Sequence, residues 1–351
     1  MKGEAVSRET KSLTFIQTND VHWQLANPKA RIDVYSEAIS NKLFEIFDLA
    51  RKTKADGILI AGDLTNTPGL SLTGIADLGW ILMQSPCPIY TIAGQHDEWD
   101  HTPRSLDRTP YGMLRKLGII RDVDDEPGTL SVGGTEVLIT GRHYDHRADE
   151  TKEYYMPPVE SDRVKDYFII HLAHGMILDR RPGFEMKHTL LSQLKTSANI
   201  LCVGDYHPGI GIRQAGNGDT GINGGRGTTV INVGALARKE GSVGEMERQV
   251  KVAVIKVFED GSFTAEAVPV KCALPGTSVL SREHLEAEAA RNDRMDKFLA
   301  LLASEGDLRF LEVRDIIEDL SARENVPLTV KLEGLRRIGE AREQLGLGVQ
   351  V

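Results

Sequence analysis

The sequence predicts an α/β protein with a largely parallel core sheet, helices packed against it, and a helical appendage at the C-terminal end. Three observations support this. Short apolar runs alternate with stretches whose apolar residues recur at helical spacing, the buried-type runs end in carboxylate, amide or imidazole side chains, and composition shifts toward Glu, Ala, Arg and Leu beyond Leu274-Pro275-Gly276.

Taken in order, SLTFIQT (12–18) reads as a strand ending at Asn19-Asp20. Ile39, Leu43, Ile46, Phe47 and Ala50 then form an apolar stripe at helical spacing. GILIAGD (57–63) is a buried-type strand, 72–83 a helix, and PIYTIAG (88–94) a third strand, completing a βαβαβ alternation. Further strands are expected at 129–140, 167–173, 199–204, 228–232, 250–258 and 262–270. The Gly-rich run 215–227 lacks the phosphate-loop pattern and any following helix, so it reads as a loop or hairpin. We divide the chain into a domain over 1–273 and a helical region over 274–351. Within the latter, 283–303 is helical in character, Phe310, Val313, Ile316, Ile317 and Leu320 form a second stripe, and 328–345 forms a third helix. Amphipathic helices of this kind bury their apolar faces in cis or against a partner, and cis packing is the favoured expectation.

At 351 residues and 40% apolar, the chain can bury a large core. The polar start of the sequence, and the lack of any run of roughly 18 apolar residues, argue against secretion or membrane insertion and for a cytoplasmic protein. Cys87, Cys202 and Cys272 are scattered without CxxC spacing, and are expected to be buried structural thiols in a reducing compartment. A net charge of -9 argues against a broadly basic surface that coats nucleic acid, while local patches or bound metal ions could still draw phosphate.

The strand ends carry the chemistry. The first delivers Asp20 and His22; the second Asp63; the third Gln95, His96 and Asp97; FIIHLAH delivers His174; ILCVGDYH delivers Asp205 and His207. Any one of these is unremarkable as a loop carboxylate or a hydrogen-bonded core histidine. Five apolar strands presenting such groups from their carboxyl ends, where α/β proteins assemble their sites, point to a bound divalent cation. His171, three residues before His174, belongs on the opposite strand face and reads as structural.

In order, DVH, GD, GQHD, the lone His174 and GDYH resemble the motifs of the calcineurin-like metallophosphoesterases, whose pattern is D-x-H, G-D, G-N-H-D/E, H and G-H-x-H. CPIYTIAGQHD, LRKLGII, FIIHLAHGM and VINVGALARK narrow the resemblance to the bacterial and phage exonuclease subunits, the SbcD-type nucleases that pair with an SbcC-type coiled-coil ATPase. The resemblance implies a sandwich of two β-sheets flanked by helices and two divalent metal ions. Asp20, His22, Asp63 and His207 would hold the first ion, and Asp63, Gln95, His174 and Asp205 the second. It implies a DNA substrate, an ATPase partner and a possible homodimer. Two cations roughly 3.5–4 Å apart would clamp one phosphate and activate water. His96 would sit beside the substrate and protonate the leaving oxygen, with Asp97 either orienting it or serving only as a helix cap.

Gln95 stands where the family has Asn, and Asp205 where it has His. Three carboxylates around two dications favour manganese, or magnesium, over zinc. Asn66 occupies a position where some such nucleases have a histidine, so it cannot act there as an acid. Arg142, His143, His146, Arg147, Arg180, Arg181 and Arg226 are possible DNA-backbone contacts. Three functions stay open: a DNA exonuclease or endonuclease subunit of a repair or recombination complex, a small-molecule metallophosphatase or phosphodiesterase, and a non-catalytic DNA-binding module with a degenerate second metal site.

Overall fold

In strand β1 (Ser12–Thr18) Phe15 and Ile16 are both fully buried, yet they enter different cores, and that double burial explains its continuous apolar sequence. The structure is a computed structural model describing residues 11–151, 153–215, 227–283, 291, 293–295, 297, 317, 321 and 326–344. Two compact units divide it, Met1–Arg282 and Glu283–Val351.

The first unit holds two six-stranded sheets. One contains β1, β2 (Gly57–Ala61), β3 (Ile89–Ile92) and β4 (Arg121–Asp122), paired parallel to one another in that order. The other runs β5 (Gly128–Val132), β6 (Thr135–Arg142), β7 (Phe168–Gly175), β10 (Ile200–Asp205), β12 (Thr229–Asn232) and β11 (Gly211–Gln214) from edge to edge. A short pair, β8 (Ile177–Leu178) and β9 (Thr189–Leu190), stands apart. Strands β13 (Lys251–Phe258) and β14 (Phe263–Pro269) return antiparallel beside β1 and complete the first sheet.

The expected strand over 129–140 is a hairpin, because Gly133-Gly134 turns the chain, Gly133 at φ +58°. Strands β11 and β12, flanking the Gly-rich run, pair antiparallel as hairpin arms. Residues 216–226 of that run, Arg226 included, lie outside the described residues.

Phe15, Leu59, Ala61 and Ile92 of the first sheet pack face to face with Ile139, Ile170, Leu172 and Cys202 of the second, while Ile16, Ile58 and Ile60 point the other way. Period-two side-chain geometry produces that division. Helix α1 (Tyr35–Thr53) covers the outer face of the first sheet with the expected stripe, Ile39, Leu43, Ile46, Phe47 and Ala50, all buried. Helix α2 (Leu72–Leu82) joins it through Leu78, Ile81 and Leu82 and starts where Ser71 accepts from the Gly74 N–H. Helix α3 (Pro110–Lys116) adds Tyr111 and Leu114, with Pro110 in its first turn, where a missing N–H costs nothing. The outer face of the second sheet is covered by Tyr154, Tyr155, Leu191 and Leu194. Fully burying each such side chain contributes roughly 1.5–3 kcal/mol.

The described segment after Leu274 includes a short helix, Gly276–Val279, and a bridge from Leu280 back to Arg31, both inside the first unit. In the second unit a helix spans Leu328–Gln344. Most of the expected helix at 283–303, and Phe310, Val313, Ile316 and Leu320 of the second stripe, lie outside the described residues. Cys202 is buried as expected, but Cys87 is half-buried and Cys272 exposed, because Cys272 falls on the loop that leaves β14 rather than on a strand. Among the described residues, no helix is long and apolar enough to cross a membrane.

Candidate metal centre

The C-terminal ends of β1, β2 and β3 from one sheet meet those of β7 and β10 from the other. The turns there demand unusual backbone: Asp20 (φ 51°), His22 (φ 47°), Asp63 (φ 51°) and Asp205 (φ 82°) all occupy the left-handed region. Non-glycine residues pay of the order of 1–3 kcal/mol for such conformations, which persist where surrounding structure dictates them. Close approach also demands glycine. A Cβ on Gly62 would lie 2.2 Å from His174 Nδ1, and one on Gly94 2.2 Å from Asp63 Oδ1.

Those constraints gather the side chains. His22 Nε2 lies 3.0 Å from His207 Nε2 and 3.5 Å from Asp63 Oδ2. His174 Nε2 lies 3.4 Å from Asp63 Oδ2 and 3.9 Å from Asp20 Oδ1, and His207 Nε2 is also 3.9 Å from Asp20 Oδ1. Three groupings could each hold an ion: Asp20, His22 and His207; Asp20, Asp63 and His174; and His22, Asp63 and His96. Asp63 belongs to two of them, as does Asp20. Gln95 and Asp205, the residues that depart from the family pattern, are bonded to each other: the Gln95 amide donates to Asp205 Oδ1 at 2.8 Å. The Asp205 backbone N–H meanwhile donates to Asp20 Oδ1 at 3.1 Å.

The fit to cations is tested by atoms left without hydrogen-bond partners. Asp63 Oδ2, His174 Nε2 and Gln95 Oε1 are all buried and unpartnered among the described residues, and His22 turns its Nε2 toward Asp63 and His207. Each can offer a lone pair, and leaving such groups unmet costs roughly 1–3 kcal/mol apiece. The Gln95 amide is fixed with its nitrogen on Asp205, so its oxygen is the free end, as a ligand requires. His174 Nδ1 donates to the Ala61 carbonyl at 2.8 Å, which leaves Nε2 facing the carboxylates. These residues fit a divalent centre rich in oxygen ligands.

Titration behaviour follows from burial and charge. Burial pushes His22 well below the usual imidazole value against the pull of Asp63, keeping it neutral and able to coordinate. For His174 burial acts in the same direction but is outweighed by Asp63, with Asp20 and Asp205 adding, so its pKa is raised. Asp63 is depressed correspondingly: burial opposes its ionisation, and His174 and His22 more than compensate. Burial raises Asp205, partly offset by His174 and by the Gln95 hydrogen bond.

His96 stands at the edge of this cluster, partly exposed, with its ring 4.7 Å from that of His22. Its backbone N–H donates to Asp63 Oδ1 at 2.9 Å and its Nδ1 to the Asn66 carbonyl at 3.0 Å. Asp97 does not orient it. The Asp97 carboxylate instead accepts from the Leu64, Thr65 and Gly94 N–H groups and from Thr65 Oγ1, tying the loop after β2 to that after β3. Those backbone donors are orphaned by the sharp turns, which is why they capture it.

Of the expected DNA contacts, His143 is withdrawn. It is buried, its Nδ1 accepts from the Ala93 N–H at 3.0 Å, and its Nε2 faces Asp122 at 3.2 Å, so it braces the end of β3. Arg142 is half-buried, whereas His146, Arg147, Arg180 and Arg181 are exposed. His171 is buried against Thr140 Oγ1 at 2.8 Å, the structural role expected of it. Sequence reasoning missed Lys239, whose ammonium donates to Asn66 Oδ1 at 2.8 Å, and Asn19, whose amide donates to Asp20. It also missed Glu98, buried with both oxygens unpartnered among the described residues and pushed up to about 9 by burial and then by Asp97.

A two-sheet sandwich with Asp and His side chains converging from five strand ends defines a metal-dependent phosphoesterase scaffold. The sequence profile described as Calcineurin-like phosphoesterase matches residues 13–209, more than half of the chain, and the chain belongs to that family. A search of curated proteins finds no match. Among solved structures, the chain is similar to purple acid phosphatase PPD1 from yellow lupin (Lupinus luteus) seeds, with 12% identity and a TM-score of 0.47 over 76% of this chain and 53% of that one. It thus spans about half of that phosphatase. A second crystal structure matches with 12% identity and a TM-score of 0.40 over 73% of this chain and 99% of the other.

Proposed function

We propose that this phosphoesterase is a DNA nuclease, hydrolysing phosphodiester bonds as the SbcD-type subunit of a repair or recombination complex, with manganese as its preferred metal. The observation that carries the reading is His96, held at the edge of the Asp63 cluster by the Asn66 carbonyl. Divalent cations in such a centre polarise the phosphate and lower the pKa of water. The protein's own residues do the rest. Asp20, His22 and Asp63 are pre-placed by strained turns and His174 by strand β7, so little reorganisation is required when the ions and phosphate arrive. With Nδ1 donating to Asn66, His96 keeps Nε2 for substrate, and in its protonated form can pass that proton to the leaving oxygen of the scissile bond. A binder without turnover has no use for such an acid. The carboxylates of Asp20 and Asp63 and the unpartnered amide oxygen of Gln95 support the manganese assignment.

Exposed Arg147, Arg180 and Arg181 suit a phosphate backbone, and stretches beyond the shared motifs, such as LRKLGII and VINVGALARK, support the nuclease branch over small-molecule hydrolysis. The coiled-coil ATPase partner and a homodimer belong to the same proposal. The test offers linear single- and double-stranded DNA beside a chromogenic phosphodiester, with manganese. DNA digestion that His96→Ala abolishes while metal content is retained supports the reading. Hydrolysis confined to the small phosphodiester refutes the DNA assignment.

A further inference from the structure

Beneath the N-terminal turns of α1 lies a cavity of about 140 Å³. That is far above the roughly 10–15 Å³ a single water requires. It is lined by Arg31, Lys42 and Arg238 together with Asp33, Glu37 and Asn41, and by apolar residues on the loop that follows β14. Two of its cations lack an ion-pair partner among the described residues. Lys42 is 3% exposed, and its ammonium donates to the Leu236 carbonyl at 2.7 Å. Arg238 is likewise 3% exposed; its Nη1 donates to the Leu274 carbonyl at 2.9 Å, and its Nε has no partner among the described residues.

The neighbouring carboxylates are committed elsewhere or stand off. Asp33 is held by the Arg31 guanidinium at 2.7 and 2.6 Å, and Glu245 by Arg248 at 2.7 and 2.9 Å. Glu37 is exposed at the rim, and among the described residues it forms no ion pair with either cation. Burying an unpaired charge costs several kcal/mol, so two of them beside one open cavity call for an anion. The Asn27 amide oxygen caps the Tyr35 N–H at 2.9 Å, and the first turn of the 19-residue helix α1 borders the cavity through Val34, Glu37 and Ala38, so the helix end adds only weakly to the two cations.

We propose that this cavity is a binding site for a small oxyanion of the phosphate class, held between Lys42 and Arg238 against the first turns of α1, and separate from the metal centre. Burial, then Arg238 and Arg31, hold Lys42 down to about 7, as befits a cation lacking its counter-ion; a bound phosphate would restore the charge. The site is also linked by sequence to the metal centre, since Arg238 precedes Lys239, which reaches Asn66.

The test uses the full chain stripped of metal with a chelator, so that phosphate cannot be drawn by cations at the other site. Thermal unfolding is followed against inorganic phosphate, a nucleoside 5′-monophosphate and chloride at constant ionic strength. A saturable rise in Tm with phosphate but not chloride is expected, lost in Lys42→Met and Arg238→Gln. Glu37→Gln, an exposed change that spares the fold, should tighten binding several-fold by removing rim repulsion. A response to both phosphates assigns a general phosphate site, and a response to the monophosphate alone a nucleotide site. Crystals of the unaltered protein soaked in tungstate should show anomalous density in the cavity. Density confined to the cluster around Asp63, or a Tm that rises equally in chloride, overturns the proposal.

Discussion

Metal binding should expel a proton from His174, and the structure sets its size. In the metal-free protein His174 Nε2 faces Asp63 at 3.4 Å and Asp20 at 3.9 Å, and these carboxylates raise its pKa above the usual 6.5 despite complete burial. A cation needs the lone pair that this proton occupies, so below the folded pKa each ion bound there displaces one proton. Affinity should then fall tenfold, or about 1.4 kcal/mol, for each pH unit below that value. The sign reverses for the metal-free fold. A raised imidazole pKa contributes stability that is fully present below the unfolded value of 6.5 and is lost as pH rises through the folded value. The apoprotein should therefore lose this stability with rising pH while the metal-loaded protein gains, by about 2.7 kcal/mol once free metal reaches a hundredfold excess over Kd. Isothermal titration with manganese in buffers of different ionisation enthalpy counts the protons. About one released at pH 7 is expected, and fewer in His174→Asn. Manganese affinity independent of pH between 5.5 and 7.5, with no proton released in any buffer, would refute the reasoning.

Three further perturbations probe the same framework. Gly94→Ala would place a methyl 2.2 Å from Asp63 Oδ1, and should weaken metal binding at least tenfold while circular dichroism stays native, since overpacking costs about 1–3 kcal/mol; unchanged affinity would show that the loops give way freely. Because Gln95 donates to Asp205, Gln95→Asn and Asp205→His should each reduce metal content. Together they should recover part of it with a shift toward zinc, a coupling of about 0.5–3 kcal/mol; additive losses measured by elemental analysis would break the pairing. Glu98 is pushed up to about 9 from 4.5, chiefly by burial, so stability should fall as pH rises through that interval. Glu98→Gln should flatten the dependence of Tm on pH between 5 and 9, and a profile unchanged from that of the parent would mean Glu98 is solvated.

The cluster of Asp and His side chains was readable because its members follow apolar runs, and a strand's end is the most legible boundary a sequence offers. Asp20, Asp63, His174 and His207 needed only the assumption that parallel strands align their carboxyl ends, which the β1–β2–β3 and β7–β10 registers satisfy. Where the signal depended on a turn it blurred: Gly133-Gly134 lay inside a run read as one strand. Where it depended on partners distant in sequence it vanished. Nothing around Lys239 announces that its ammonium will meet Asn66, 173 residues away, nor around Asp97 that the amides of Leu64 and Thr65 will claim its carboxylate before the neighbouring imidazole can. The same limit bears on Gln95 and Asp205. Taken singly, each departure from the family pattern suggests a weakened second site. Bonded to each other, they form one unit in which the amide nitrogen satisfies a carboxylate and thereby turns the amide oxygen, buried and unpartnered, toward the place a cation would occupy. The two departures are thus better understood as one hydrogen-bonded unit, an amide kept as an amide and an imidazole exchanged for a carboxylate, than as two independent losses.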